Sequence, residues 1–68
     1  MNSVELDNRL YILQNSNLDD DLKEKLQKAD KLFIEDKDSK AKKLILEIEK
    51  ECKKRGIDLY DPNDLTML

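Results

Sequence analysis

The architecture is encoded in residues 18–56, which read LDDDLKEKLQKADKLFIEDKDSKAKKLILEIEKECKKRG. Apolar residues recur through the first half at spacings of four, four, three and four, at Leu18, Leu22, Leu26, Ala29 and Phe33. A second stripe with the same period follows at Ala41, Leu44, Ile45, Ile48 and Cys52. This period is typical of a helix with one buried face. The stretch therefore predicts two amphipathic helices.

A polar cluster separates the two stripes. Residues 35–39, EDKDS, interrupt the apolar period and offer Asp38 or Ser39 as the N-cap of the next helix. Neither Gly nor Pro occurs there, so a single fused helix over about 19–55 is the alternative. We prefer the break, because Asp and Ser side chains compete for backbone hydrogen bonds. Two helices joined by so short a turn are expected to pack antiparallel, as a helical hairpin.

The end of the second stripe carries a helix-termination signal. Residues 53–55, KKR, place cations in the last turn, and Gly56 suits the left-handed position after it. Ile57 is then placed to contact Cys52 as the accompanying hydrophobic pair. We interpret Cys52 as a core thiol, since the chain has no His that could activate it as a nucleophile.

The N-terminal segment predicts a third helix. Its apolar stripe is Leu6, Leu10 and Leu13, and the polar residues 15–17, NSN, end it and offer caps to the next helix. We expect helices over about 3–15, 18–36 and 38–55. The central core between the second and third helices is predicted to be formed by Leu26, Phe33, Leu44 and Ile48.

The predicted fold class is all-α. We expect a small three-helix domain over 1–56, built on an antiparallel helical hairpin, and a non-helical C-terminal tail over 57–68 that packs partly back on the helices. Asp19, Asp20 and Asp21 fall in the first turn of the second helix, where carboxylates complement the helix dipole. Capping is the favoured role for them, and a cation site is the alternative.

Composition argues against most catalytic chemistry. The 68 residues are 43% charged and include no His, one Cys and one Gly. Without His the chain lacks the usual general base near neutral pH and the imidazole metal ligand. One Gly cannot build a phosphate-cradling loop. We expect no enzyme activity, no catalytic residue, no cofactor and no metal.

The N-terminus predicts neither a signal peptide nor a membrane span, and the single Cys favours the cytoplasm. Eleven of the thirteen basic residues are Lys, and Asn, Ile and Asp are plentiful, which is typical of an AT-rich bacterial, phage or plasmid gene. Charge is uneven: the net charge of −3 divides into −4 over 1–21, +4 over 22–55 and −3 over 56–68.

Apolar residues outside the stripes predict a protein-binding function, in which the chain regulates, inhibits or assembles a larger protein. The binding is expected through an apolar helix face, through the acidic and apolar C-terminal tail, or through both. Single exposed apolar residues are ordinary, but a helix that is apolar nearly all round, as over 10–13, is usually covered on two sides. Three covers are open at this point: the chain's own tail, a second copy of the protein in a homodimer, or a different partner. The candidate partner-binding residues are Tyr11, Ile12, Ile34, Leu46, Leu59, Tyr60, Leu65, Met67 and Leu68.

The alternative function is a small nucleic-acid-binding regulator that uses the Lys-rich third helix. Three glutamates interrupt that helix at positions 47, 49 and 51, and Arg, the best base reader, occurs only as Arg9 and Arg55. The pI of about 4.9 is also unsuited to a nucleic-acid partner. We therefore do not expect nucleic-acid binding.

Overall fold

The computed structural model describes residues 3–61. Three helices form within this part of the chain: α1 over Ser3–Gln14, α2 over Asp20–Ile34 and α3 over Asp38–Arg55. The same residues contain no strand. The predicted all-α fold with three helices is confirmed, and residues 57–61 are non-helical. The alternative prediction, a single fused helix over about 19–55, is wrong because residues 35–37 are not helical.

The turn between α2 and α3 is built around Asp36, whose φ of 61° lies in the left-handed region. The Asp36 N–H donates to the Phe33 carbonyl (N···O 3.1 Å), and the Lys37 N–H donates to the Leu32 carbonyl (2.8 Å). These two bonds form a Schellman motif, which satisfies carbonyls that the end of a helix leaves without partners. The motif stops α2 and reverses the chain.

The start of α3 differs from the prediction. Its N-cap is Lys37, which makes no side-chain cap hydrogen bond, and Asp38 is already the first helical residue. Assigning the cap to Asp38 or Ser39 was therefore wrong. The reason lies in the preceding motif: once the chain has turned at Asp36, only Lys37 remains between the two helices.

The end of α3 has the same geometry with glycine in the left-handed position. Gly56 has φ 71°. Its N–H donates to the Lys53 carbonyl (3.3 Å), and the Ile57 N–H donates to the Cys52 carbonyl (2.9 Å). Ile57 packs on the buried core, of which Cys52 is part. The predicted Schellman end at Gly56 is confirmed.

Contacts between residues far apart in the sequence show the relative directions of the three helices. Arg55 at the end of α3 contacts Asp19 and Asp21 at the start of α2, so these two helices are antiparallel. Arg9 contacts Glu49, and the Tyr60 backbone contacts Ser16, at sequence separations of 40 and 44 residues. The end of α1 is joined by the short segment 15–19 to the start of α2, which lies beside the end of α3. With Arg9 beside Glu49, α1 therefore runs alongside α3 in the same direction.

The three stripes converge on one core. The buried residues of α1, α2 and α3, apart from Ala41, pack together with Leu18, which precedes α2. Within residues 3–61 no buried residue is polar or charged. The core consists of Leu6, Leu10, Leu13, Leu18, Leu22, Leu26, Ala29, Ile45, Ile48 and Cys52.

Two of the residues predicted to form the central core lie at its edge. Leu26 and Ile48 are buried, but Phe33 and Leu44 are only partly buried. Near the turn the interior is occupied by Ala29 and Ala41, both fully buried, and the larger side chains cover its rim.

Candidate protein-binding surface

Tyr11 and Tyr60 form an aromatic pair on the surface, which we call the tyrosine pair. Tyr11 lies on α1, on the side opposite the buried Leu6 and Leu13, whereas Tyr60 comes from the tail. The ring centroids are 5.9 Å apart and the planes meet at 73°, an edge-to-face arrangement that aromatic rings favour. Tyr11 remains 50% exposed and Tyr60 39% exposed. The two rings therefore support one another and still face solvent.

Ser16 holds the tail against the end of α1. Its hydroxyl donates to the Ile12 carbonyl (2.7 Å) and accepts from the Tyr60 backbone N–H (2.9 Å). Asn15 Nδ2 donates to the Tyr11 carbonyl (2.8 Å). Both polar side chains thus satisfy carbonyls at the C-terminus of α1. The prediction that residues 15–17 end the first helix is confirmed, since α1 ends at Gln14. Their predicted role as caps of the next helix is wrong, because the N-cap of α2 is Asp19, and the contact of Ser16 with the tail was not predicted.

The pKa of Tyr60 is raised above its ordinary value of 10 by hydrogen bonding with the Tyr11 side chain. The coulombic influence of Tyr11 and some desolvation act in the same direction. Tyr60 is therefore an uncharged phenol at neutral pH. The tyrosine pair is therefore an uncharged surface that is apolar on the ring faces and offers hydroxyl groups for hydrogen bonds.

The structure brings some of the candidate residues together and separates others. Tyr11 and Tyr60 are in contact, and Ile12, partly buried, is linked to Tyr60 through Ser16. Leu59, the residue before Tyr60, is 38% exposed. These four lie at the end of the molecule where α1 finishes and the tail begins.

Ile34 and Leu46 are exposed elsewhere. Ile34, 73% exposed, is the last residue of α2, beside the turn to α3. Leu46, 43% exposed, lies on α3 in an open concavity of about 410 Å³ with Ser39, Lys42 and Lys43. Neither belongs to the tyrosine pair. Leu65, Met67 and Leu68 lie outside the described residues.

Asp19 and Asp21 have a role that was not predicted from the sequence. Both carboxylates bind the guanidinium of Arg55, which also binds Glu51 (Nε to Oε1, 3.0 Å). Asp19 occupies the N-cap position of α2 but makes no side-chain cap bond. Arg55 lowers the pKa of Asp21 by hydrogen bonding, and the three carboxylates raise the pKa of Arg55 further above its already high value. In residues 3–61 no group of acids, Cys or His is arranged to hold a metal ion.

Arg9 is the counterpart of Arg55 on α1. Its Nη1 lies 2.7 Å from Glu49 Oε1, and its Nη2 lies 3.6 Å from Glu5 Oε1. Both arginines of the chain are thus engaged in contacts within the chain. The pairs join α1 to α3 and α2 to α3, so these two side chains are occupied in holding the bundle together.

Comparisons with known proteins identified no relative of this chain. No family model matches the chain, and no curated protein or solved structure shows significant similarity to it. In the part of the chain that the structure describes, every helix is too short or too polar to cross a bilayer.

Proposed function

We propose that this chain is a small protein-binding module that presents the tyrosine pair to a larger partner protein in the cytoplasm. The observation that carries the proposal is the edge-to-face contact of Tyr11 and Tyr60, two rings that remain 50% and 39% exposed. Tyr is enriched among the residues that contribute most to binding at protein interfaces. Its large ring has few rotatable bonds, so little conformational entropy is lost when it is buried.

The contacts around the pair support preorganisation. Tyr60 is fixed through its backbone N–H to Ser16, and its ring leans on Tyr11. A surface that is ordered before binding avoids part of the ordering cost of association. Leu59 adds apolar area next to the pair. The chain thus offers a partner a small, ordered and largely apolar contact.

A capture experiment with matched variants tests the proposal. The tagged protein is incubated with an extract in which the native partner is present, alongside Tyr11→Ala and Ile34→Ala. Ile34 is the control, because it is an exposed apolar residue remote from the pair. We expect a protein that binds wild type and Ile34→Ala and is lost with Tyr11→Ala. Capture that depends on Ile34 but not on Tyr11 would contradict the proposal.

A homodimer is distinguished by sedimentation of the purified protein. A dimer of the wild type that dissociates in Tyr11→Ala would mean that a second copy covers the pair instead of a larger partner. Circular dichroism of each variant establishes that the helices are retained. The nucleic-acid alternative finds less support, because both guanidinium groups are held in internal ion pairs and base recognition depends chiefly on Arg.

A further inference from the structure

A second surface lies on the hairpin, in an open groove between α2 and α3. The groove has a volume of about 520 Å³ and is lined by Lys25 of α2 and by Glu47, Lys50, Glu51, Lys53 and Lys54 of α3. No lining residue comes from α1 or from residues 57–61. We call it the lysine groove. It is separate from the tyrosine pair in its residues and in its chemistry.

The lysine groove is locally basic in a chain whose net charge is −3. Four of its lining residues are Lys and two are Glu. Among residues 3–61, the four lysines make no ion pair, whereas Glu51 is held by Arg55 at 3.0 Å. The four lysines outnumber the two glutamates, so the groove carries a net positive charge. Such a cluster attracts an acidic ligand and gains energy by pairing with it.

We propose that the lysine groove binds an acidic segment of a partner protein, with Asp or Glu side chains spaced along a helix. Lys50 and Lys54 are four residues apart and therefore lie one above the other on α3. A facing helix with carboxylates at the same spacing matches them. The long apolar stems of the lysines provide contact area below the charged ends.

A peptide fits this groove better than a phosphate backbone does. Glu47 and Glu51 stand among the lysines and repel a continuous row of phosphates, whereas a peptide can set a neutral or donor side chain against each of them. The groove also has no Arg, the residue best suited to bidentate phosphate binding. Acidic protein and nucleic acid are therefore alternatives that a direct comparison separates.

The test is a fluorescence titration of the intact protein with three labelled probes. They are a helical peptide with Glu pairs at i and i+4, the same peptide with Gln in place of Glu, and a single-stranded oligonucleotide of matched net charge. We expect the Glu peptide to bind most tightly and to weaken as salt screens the contacts. Three results would overturn the proposal. They are equal binding of the Gln peptide, tighter binding of the oligonucleotide, and absence of Glu-peptide binding at low salt.

Matched charge reversals locate the binding. Lys50→Glu with Lys54→Glu is expected to weaken the Glu peptide at least about tenfold, because like charges replace attractive contacts. Lys23→Glu with Lys42→Glu changes the net charge equally at exposed positions outside the groove and should weaken binding less than about threefold. An equal loss in both double variants overturns the proposal. If the first pair disturbs the fold, Lys50→Gln with Lys54→Gln takes its place.

Discussion

The guanidinium group of Arg55 forms a bidentate ion pair with the carboxylate of Asp21. Nη1 lies 3.0 Å from Oδ1 and Nη2 lies 2.8 Å from Oδ2. The contact joins the last residue of α3 to the first turn of α2, 34 positions earlier. A bidentate pair fixes the relative orientation of the two planar groups, so it helps to set the alignment of the hairpin.

This pair makes the stability of the hairpin depend on pH. Arg55 holds the folded-state pKa of Asp21 below its ordinary value of 3.8. The pair therefore stabilises the folded state at pH values above the pKa that Asp21 has in the unfolded chain. This stabilisation is lost as the pH falls through the lower pKa that Asp21 has in the folded protein. We expect Asp21→Asn to lower the melting temperature at neutral pH. We also expect the melting temperature of this variant to decrease less than that of the wild type between about pH 5 and about pH 2. Asp20→Asn, next to it but without a described ion pair, is the control and should retain the wild-type fall.

Asp36 is a site for stabilisation. Its φ of 61° is a conformation that L-residues adopt at a cost and that Gly adopts freely. We expect Asp36→Gly to raise the free energy of unfolding by about 0.5–1 kcal/mol. Gln27→Gly, at an exposed position inside α2, should instead lower it by about 1 kcal/mol. Urea denaturation measures both, and a destabilised Asp36→Gly would contradict the interpretation of the turn.

Ile45 and Phe33 should respond differently to truncation. Ile45 is fully buried, so Ile45→Ala is expected to cost about 2–5 kcal/mol of unfolding free energy. Phe33 is only partly buried at the core edge, so Phe33→Ala should cost about 1–2 kcal/mol. The comparison uses urea denaturation under one set of conditions. A loss at Phe33 equal to that at Ile45 would show that the edge is tighter than its exposure indicates.

Cys52 should be an unreactive thiol in the folded protein. It is 1% exposed, and burial raises its pKa above the ordinary value of 9.0. The thiolate is the reactive form, so modification requires opening of the bundle. We expect a thiol reagent to label the native protein slowly and the urea-unfolded protein rapidly. Because Cys52 is the only Cys, the rate reports this site alone, and fast native labelling would contradict its burial.

The tyrosine pair has its own titration signature. Tyr11→Phe removes the Tyr11 hydroxyl, the group that chiefly raises the pKa of Tyr60, so this pKa should fall toward its ordinary value of 10. The phenolate absorbance of the variant reports Tyr60 alone, because the chain has two Tyr. Since the folded-state pKa is raised, the contact stabilises tail docking below the unfolded pKa and is lost as pH rises through the folded one. An unchanged Tyr60 titration would contradict the contact.

The local sequence alone was sufficient to predict the three helices and the apolar stripe that each helix buries. The 3.6-residue period of Leu22, Leu26 and Ala29 identified the inner face of α2, and Gly56 marked the end of α3. The residue type at Asp36 was less informative: Asp tolerates the left-handed region better than most L-residues do but is also common in other turns and at helix caps, so the motif that ends α2 there was not recognised. The exposure of Tyr11 and Leu46 followed from their angular position alone.

Tertiary structure alone decided which side chains meet across elements. The period of a helix shows which face is buried, but it does not show which residues of another helix lie at the same level. That depends on the alignment of three helices packed together, and so on contacts between residues 34 to 44 positions apart. Arg55 therefore binds Asp21, and the Ser16 hydroxyl accepts from the Tyr60 backbone N–H, without any local signal in the sequence. The position of Phe33 at the core edge was likewise not visible in the period of α2.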